Sequence, residues 1–302
     1  MDNNSVENLS QSLARRQLGN GGWAALSSSQ AALEPSALAW MALASGYETA
    51  HHRATKFLLE VQNPNGSWPA FVGDDCDGSW TTSIVALALR QEIKAIPQLL
   101  KGFTWLIDLA GKESDWLWRW KFRTSDRHVR FNPDKFGWPW APGTNSWVVP
   151  TAFAILALNQ CPCDCGFDGR RRRVELGIEM LLDRACPGGG WNAGNGVVYG
   201  RPMAPHPDDT AIALLALSRH AREPVVTASL DWLESMAPAL NAVWSLAWCI
   251  LALAAHQKSF HPLVQRILEW PNLAEIEDTA SLAVTCLALN YKQTLTCFGL
   301  TE

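Results

Sequence analysis

Two adjacent carboxylates head an apolar segment in Pro205-His206-Pro207-Asp208-Asp209-Thr210-Ala211. Neighbouring acids in apolar surroundings repel each other's charge, so one of them holds its proton and can deliver it as an acid. Asp208 is the candidate acid, with Asp209 and His206 tuning it. A neutral His206 accepts or relays a proton, whereas a cationic one stabilises the carboxylate. Proton delivery to an apolar substrate leaves a cation that needs a dry pocket walled by aromatic faces. The composition offers such walls, with 16 Trp against 3 Tyr. The same acids also suit the first turn of a helix, and both roles stand open. Glu277-Asp278-Thr279-Ala280 and Glu34-Pro35-Ser36 are similar clusters and read as helix starts.

The chain has 302 residues, 48% hydrophobic and 18% charged, with a net charge of -4. That is a soluble composition with enough length for a large core, and it offers no electrostatic case for nucleic acid. The basic run Arg170-Arg171-Arg172-Arg173 reads as a solvated helix start. The polar N-terminus lacks a signal-peptide plan, and no apolar run reaches bilayer length. A cytoplasmic location with reduced thiols follows as the expectation. Cys161-Pro-Cys163-Asp-Cys165 lacks Cys-x-x-Cys pairing and reads as incidental thiols. No Ser–His–Asp arrangement, phosphate-binding Gly loop or dinucleotide fingerprint is present.

Six stretches share one small-residue apolar plan: Ser36–Leu43, Thr82–Leu89, Thr151–Leu158, Thr210–Leu217, Leu246–Leu253 and Leu282–Leu289. Each is apolar around its circumference, as a helix buried on every side must be. Amphipathic segments alternate with them: residues 4–16, Ala54–Val61, Phe103–Leu109, Leu176–Arg184, Leu230–Met236 and Leu263–Trp270. This predicts an all-α fold, an α/α toroid of six inner and six outer helices spanning residues 1–302 as one domain. An open solenoid is the alternative. All inner helices should start at one end of the barrel, where their positive dipole ends gather around a site.

Residues 111–150 interrupt the third unit with an aromatic-rich insertion. It reads as a lid over the barrel mouth or as a plug for an apolar hole. Within it, Trp116-Leu-Trp118-Arg-Trp120-Lys-Phe122 alternates as a strand would. Closeness to helix starts nominates Trp80, Trp138, Trp140, Trp147, Trp244 and Thr210 as substrate contacts.

Gln17-Leu-Gly-Asn-Gly21-Gly-Trp23 and Gln62-Asn-Pro-Asn-Gly66-Ser-Trp68 share one spacing, and Gly188-Gly-Gly-Trp191 is a partial third copy. This unit resembles the QW motif of squalene–hopene and oxidosqualene cyclases. The layout resembles the toroid of terpene cyclases and prenyltransferase β-subunits. The resemblance implies an enzyme that cyclises an isoprenoid, of squalene or prenyl diphosphate type, by protonation in an apolar cavity. Asp208 matches the family's acid and Asp209 its neighbour, while His206 stands where the family has another Asp.

The alternative implied is a prenyltransferase-like or non-catalytic lipid-binding toroid acting with a partner chain. Asp74 and Cys76 resemble the zinc pair of prenyltransferases, yet Asp74-Asp75-Cys76-Asp77 reads better as a solvated turn, so no metal is assigned. Mg²⁺ enters only with a diphosphate substrate and Zn²⁺ only in the alternative. A second toroid or fused enzyme, and a peripheral membrane contact, complete the implied partners.

Overall fold

The computed structural model describes residues 3–26, 30–43, 46–74, 76–125, 130–161 and 168–300. Fourteen helices occur among them. The first seven are α1 (Asn3–Arg15), α2 (Leu33–Ala42), α3 (Glu48–Glu60), α4 (Thr81–Leu89), α5 (Ile96–Asp108), α6 (Trp116–Thr124) and α7 (Val148–Asn159). The remainder are α8 (Asp168–Arg184), α9 (Pro207–Ala216), α10 (Pro224–Met236), α11 (Val243–Ala255), α12 (His261–Leu268), α13 (Thr279–Leu289) and α14 (Tyr291–Cys297). A small antiparallel hairpin joins β1 (Val197–Val198) to β2 (Arg201–Pro202).

The six apolar stretches are α2, α4, α7, α9, α11 and α13. Each packs on the next, and α13 packs back on α2, so the ring closes and the open solenoid is excluded. Their alanines allow close approach, and nearly every side chain on them is buried. Helices α3, α5, α8, α10 and α12 each clad the inner helix that precedes them, and α1 packs on α13. The short α14 adds a seventh outer element against α11 and α13.

The Gln–Gly–Trp repeat is a clamp between the layers. The indole N–H groups of Trp23, Trp68, Trp138 and Trp191 donate to the carbonyls of Leu13, Leu58, Leu106 and Leu181 at 2.7–2.8 Å. Those carbonyls lie in the last turn of an outer helix, where the regular intrahelical partners run out. The backbone N–H of each Trp donates to a hydroxyl of the next inner helix: Ser36, Thr82, Thr151 and Thr210, at 2.8–2.9 Å. Gln17 and Gln62 extend the clamp sideways to the carbonyls of Ala50 and Gln98, in the first turn of the following outer helix. Gly21 and Gly66 have positive φ, and a Cβ there would meet the Arg53 and Lys101 carbonyls at 2.5 and 2.7 Å. Arginines stitch the loops further. Arg16 reaches the Ala274, Ile276 and Glu277 carbonyls and so joins the first unit to the last.

Two local expectations are corrected. Residues 116–122 form helix α6, not a strand. Asp115 caps it by accepting from the Leu117 N–H at 2.9 Å, and no strand among the described residues offers it a ladder. The basic run is not wholly solvated: Arg173 is buried, stacks 3.6 Å over Trp138 and donates to the Leu109, Phe136 and Gly137 carbonyls. Burial pushes it down to about 9. The insertion is anchored by buried Glu113, which pairs with Arg184 at 3.5 Å and accepts from the Ser146 N–H.

Cys163, Cys165 and Asp75 lie outside the described residues. Among the described residues, no acid, Cys and His group is arranged to hold a metal, and no helix is long and apolar enough to cross a membrane.

Candidate functional site at the barrel mouth

The clamp hydroxyls fix which way every inner helix faces. Ser36, Thr82, Thr151 and Thr210 point outward to their Trp partners, and Leu246 and Leu282 hold the same position in the two units without a clamp. A residue two places earlier lies about 200° around the helix and so faces the barrel axis. That position is Glu34, Trp80, Val149, Asp208, Trp244 and Ala280. These six form one ring at the helix starts, half-buried except for the buried Ala280.

Two places after the hydroxyl, the axis-facing layer is Leu38, Ile84, Phe153, Ile212, Trp248 and Val284, all essentially inaccessible. The aromatic contacts agree with this register. Phe153 on α7 meets Trp248 on α11 edge-on at 5.7 Å, although α9 separates those helices in the ring. Trp80 packs on Phe153 and Trp244 on Trp248, at 5.6 Å each. Phe153 and Trp248 therefore meet across the axis and form a floor. The buried indole N–H of Trp248 has no hydrogen-bond partner among the described residues.

Above this floor, α2 and α9 are opposite members of the six-helix ring, so Glu34 and Asp208 face each other. Helix spacings of 8–10 Å set the axes of two opposed helices in a six-membered ring roughly 16–20 Å apart. No described residue hydrogen-bonds the Glu34 carboxyl. Burial, reinforced by the charge of Asp278, pushes it up to about 7. Asp278 caps α13 by accepting from the Ser281 N–H at 2.7 Å. Asp208 Oδ2 instead accepts the Trp244 indole N–H at 3.2 Å, which orients that carboxylate. One carboxyl is thus stored protonated near neutrality, and the other is held by a donor.

The residues nominated from sequence separate into two groups. Asp208, Trp80 and Trp244 lie in the mouth ring, and Trp140 sits on its rim, edge-on to Trp80 at 5.1 Å. Asp209 is buried beside it. Its Oδ2 lies 2.9 Å from His206 Nδ1. Burial raises the Asp209 carboxyl, the His206 bond offsets part of that rise, and the charge of Asp208 adds to it. Thr210 and Trp138 belong to the clamps, and their polar groups are used there. Trp147 is the N-cap residue of α7, packed near Gly194. In the sequence Glu34 reads only as a helix start. Aligning the six inner stretches on the clamp hydroxyl is the signal that finds it.

No family model matches the sequence, and no curated protein matches it. Solved structures do resemble the fold. An α-amylase from Clostridium perfringens superposes with a TM-score of 0.66 at 7% identity, covering 95% of this chain and 97% of that one. A GH8 endo-β-1,4-glucanase from an Achatina fulica gut metagenomic library gives 0.60 at 14% identity, covering 94% and 96%. A type II terpene cyclase from Scytonema gives 0.57 at 14% identity, covering 96% and 98%.

At such identities the likeness establishes the α/α toroid alone. Glycosidases predominate among these neighbours, so the toroid does not single out a cyclase. The barrel is also filled below its mouth, where cyclisation of a long isoprenoid needs depth. Isoprenoid cyclisation, and with it the prenyltransferase-like or lipid-binding alternative, is set aside.

Proposed function

We propose that this toroid is a glycoside hydrolase whose site is the axis-facing ring at the mouth. The observation that carries this reading is the placement of Glu34 and Asp208 at the same register on opposite inner helices. Cleavage of a glycosidic bond needs a carboxylic acid on one side and a carboxylate on the other. Glu34 supplies the acid: its raised affinity for protons keeps it neutral at the pH where it must protonate the leaving oxygen. Asp208 supplies the carboxylate, held by the Trp244 N–H. Carboxyls on opposed helices leave room for a water between Asp208 and the sugar, the arrangement that inverts configuration. The solved glycosidases that share the fold favour this chemistry over other two-carboxylate reactions.

The test is release of reducing ends from cellulosic, xylan and starch substrates. Glu34→Gln and Asp208→Asn should each lower turnover by about 10²-fold or more while circular dichroism stays native. Absence of release from every substrate, or full activity in both variants, would overturn the assignment.

A further inference from the structure

Helix α6 adds nothing to the core: none of its residues is buried. Its inward side is Trp118 and Phe122, which pack on Lys112 and Phe131 within the insertion. Its outward side is Trp116, Leu117 and Trp120, exposed by 76%, 52% and 59%. Those three lie within about 100° of one another around the helix, so they form one continuous apolar face. Folding gains nothing from an indole left in water, and an apolar face held in solvent marks a surface that meets a partner.

The charges beside that face identify the partner's chemistry. Lys121 and Arg123 border it on either side. The local acids are engaged elsewhere: Asp115 caps α6, Asp134 pairs with Arg119 and Arg123, and Glu113 is buried against Arg184. The Arg130 N–H donates to the Val197 carbonyl at 3.3 Å and so joins the insertion to the β1–β2 hairpin. The hairpin repeats the pattern, with Tyr199 and Met203 exposed on either side of Arg201. Lys121, Arg130 and Arg201 are exposed and meet no acid among the described residues, in a chain whose net charge is -4.

Aromatic side chains bordered by uncompensated cations suit the headgroup layer of an anionic bilayer. Indoles settle at that depth, an aliphatic side chain reaches the acyl boundary, and Lys and Arg meet the lipid anions. A neutral glycan has no use for the cations and favours a concave site, whereas the outer face of a helix is convex. No helix among the described residues is long and apolar enough to cross a membrane, so the contact is peripheral. We propose that α6, with the β1–β2 hairpin as a second foothold, seats the protein on an anionic lipid surface. This contact does not depend on which bond the mouth cleaves. A helix of 9 residues buries little area, so binding is weak, reversible and sensitive to salt.

Sedimentation of the whole chain with vesicles tests this. Vesicles of phosphatidylcholine with a quarter phosphatidylserine should retain the protein about tenfold better, or more, than phosphatidylcholine alone. Raising NaCl from about 0.05 to about 0.5 M should remove that preference. Trp116→Ser with Trp120→Ser touches no core residue, so circular dichroism should stay native while retention falls about tenfold or more. Ile93→Ser, at an 81% exposed residue between α4 and α5, should leave retention unchanged. Equal retention by both vesicle types, no retention by either, wild-type retention in the double variant, or an equal loss with Ile93→Ser would overturn the proposal. A double variant that keeps its vesicle retention but loses binding to insoluble cellulose, xylan or starch would do the same and assign the face to a glycan.

Discussion

Glu34→Gln should stabilise the protein above neutral pH while destroying its activity. The Glu34 carboxyl stands at about 7 in the folded chain against 4.5 for a solvated Glu. Folding therefore favours the protonated form, and the protein loses stability as pH rises from about 4.5 through 7. A rise of that size corresponds to roughly 3 kcal/mol at pH 8. The side chain keeps some access to water, so a realised gain of about 1–2 kcal/mol is expected. Glutamine has the same shape and stays neutral, so it removes this cost. Urea denaturation of both proteins at pH 5 and pH 8 reads it directly. The variant should match wild type at pH 5 and exceed it at pH 8, by a few degrees in a parallel melt. Equal stability at both values, or a variant weaker at pH 8, would refute the picture of a proton stored at the barrel mouth.

Further outcomes follow from the clamps and the walls. Trp191→Phe leaves the Leu181 carbonyl without its donor in a buried place, so a loss of about 1–3 kcal/mol is expected in urea. Thr151→Val removes the acceptor of the Trp138 N–H and should cost a similar amount in the same assay. Trp244→Phe keeps the wall but removes the donor to Asp208. Turnover should fall about tenfold, one hydrogen bond's worth. Glu113→Gln leaves Arg184 buried with its main counter-charge gone, an expected loss of about 3–5 kcal/mol. Limited proteolysis should then cut first within residues 111–150.

Much of the ring was legible because its helices are apolar on all sides, a pattern that only an inner layer satisfies. The clamp was legible at Trp23, Trp68 and Trp191 but not at Trp138, which reads as a substrate contact and in fact clamps the third unit. The units with a clamping Trp begin their apolar stretch with Ser36, Thr82, Thr151 or Thr210, and those without begin with Leu246 or Leu282. Closure was legible only through the count of six inner and outer pairs, and the packing of α13 on α2 bears it out. Trp116 to Phe122 alternates like a strand because α6 turns Trp118 and Phe122 toward Lys112 and Phe131 and leaves Trp116 and Trp120 in solvent. Glu34 is not distinguishable locally, because an acid in a first helical turn is favourable on dipole grounds alone. Its position two residues before a clamp hydroxyl, shared with Asp208, separates it from an ordinary cap. Thr210 shows the converse: its place beside Asp208 suggested substrate contact, yet its register faces the outer layer.

The measurement that bears most directly on the opposed carboxyls is the anomeric configuration of the first product, followed by proton NMR during hydrolysis. Carboxyls facing each other across a six-helix ring predict the inverted anomer, absent when Glu34→Gln or Asp208→Asn is used. A retained anomer, or hydrolysis that persists in both variants, would contradict the account.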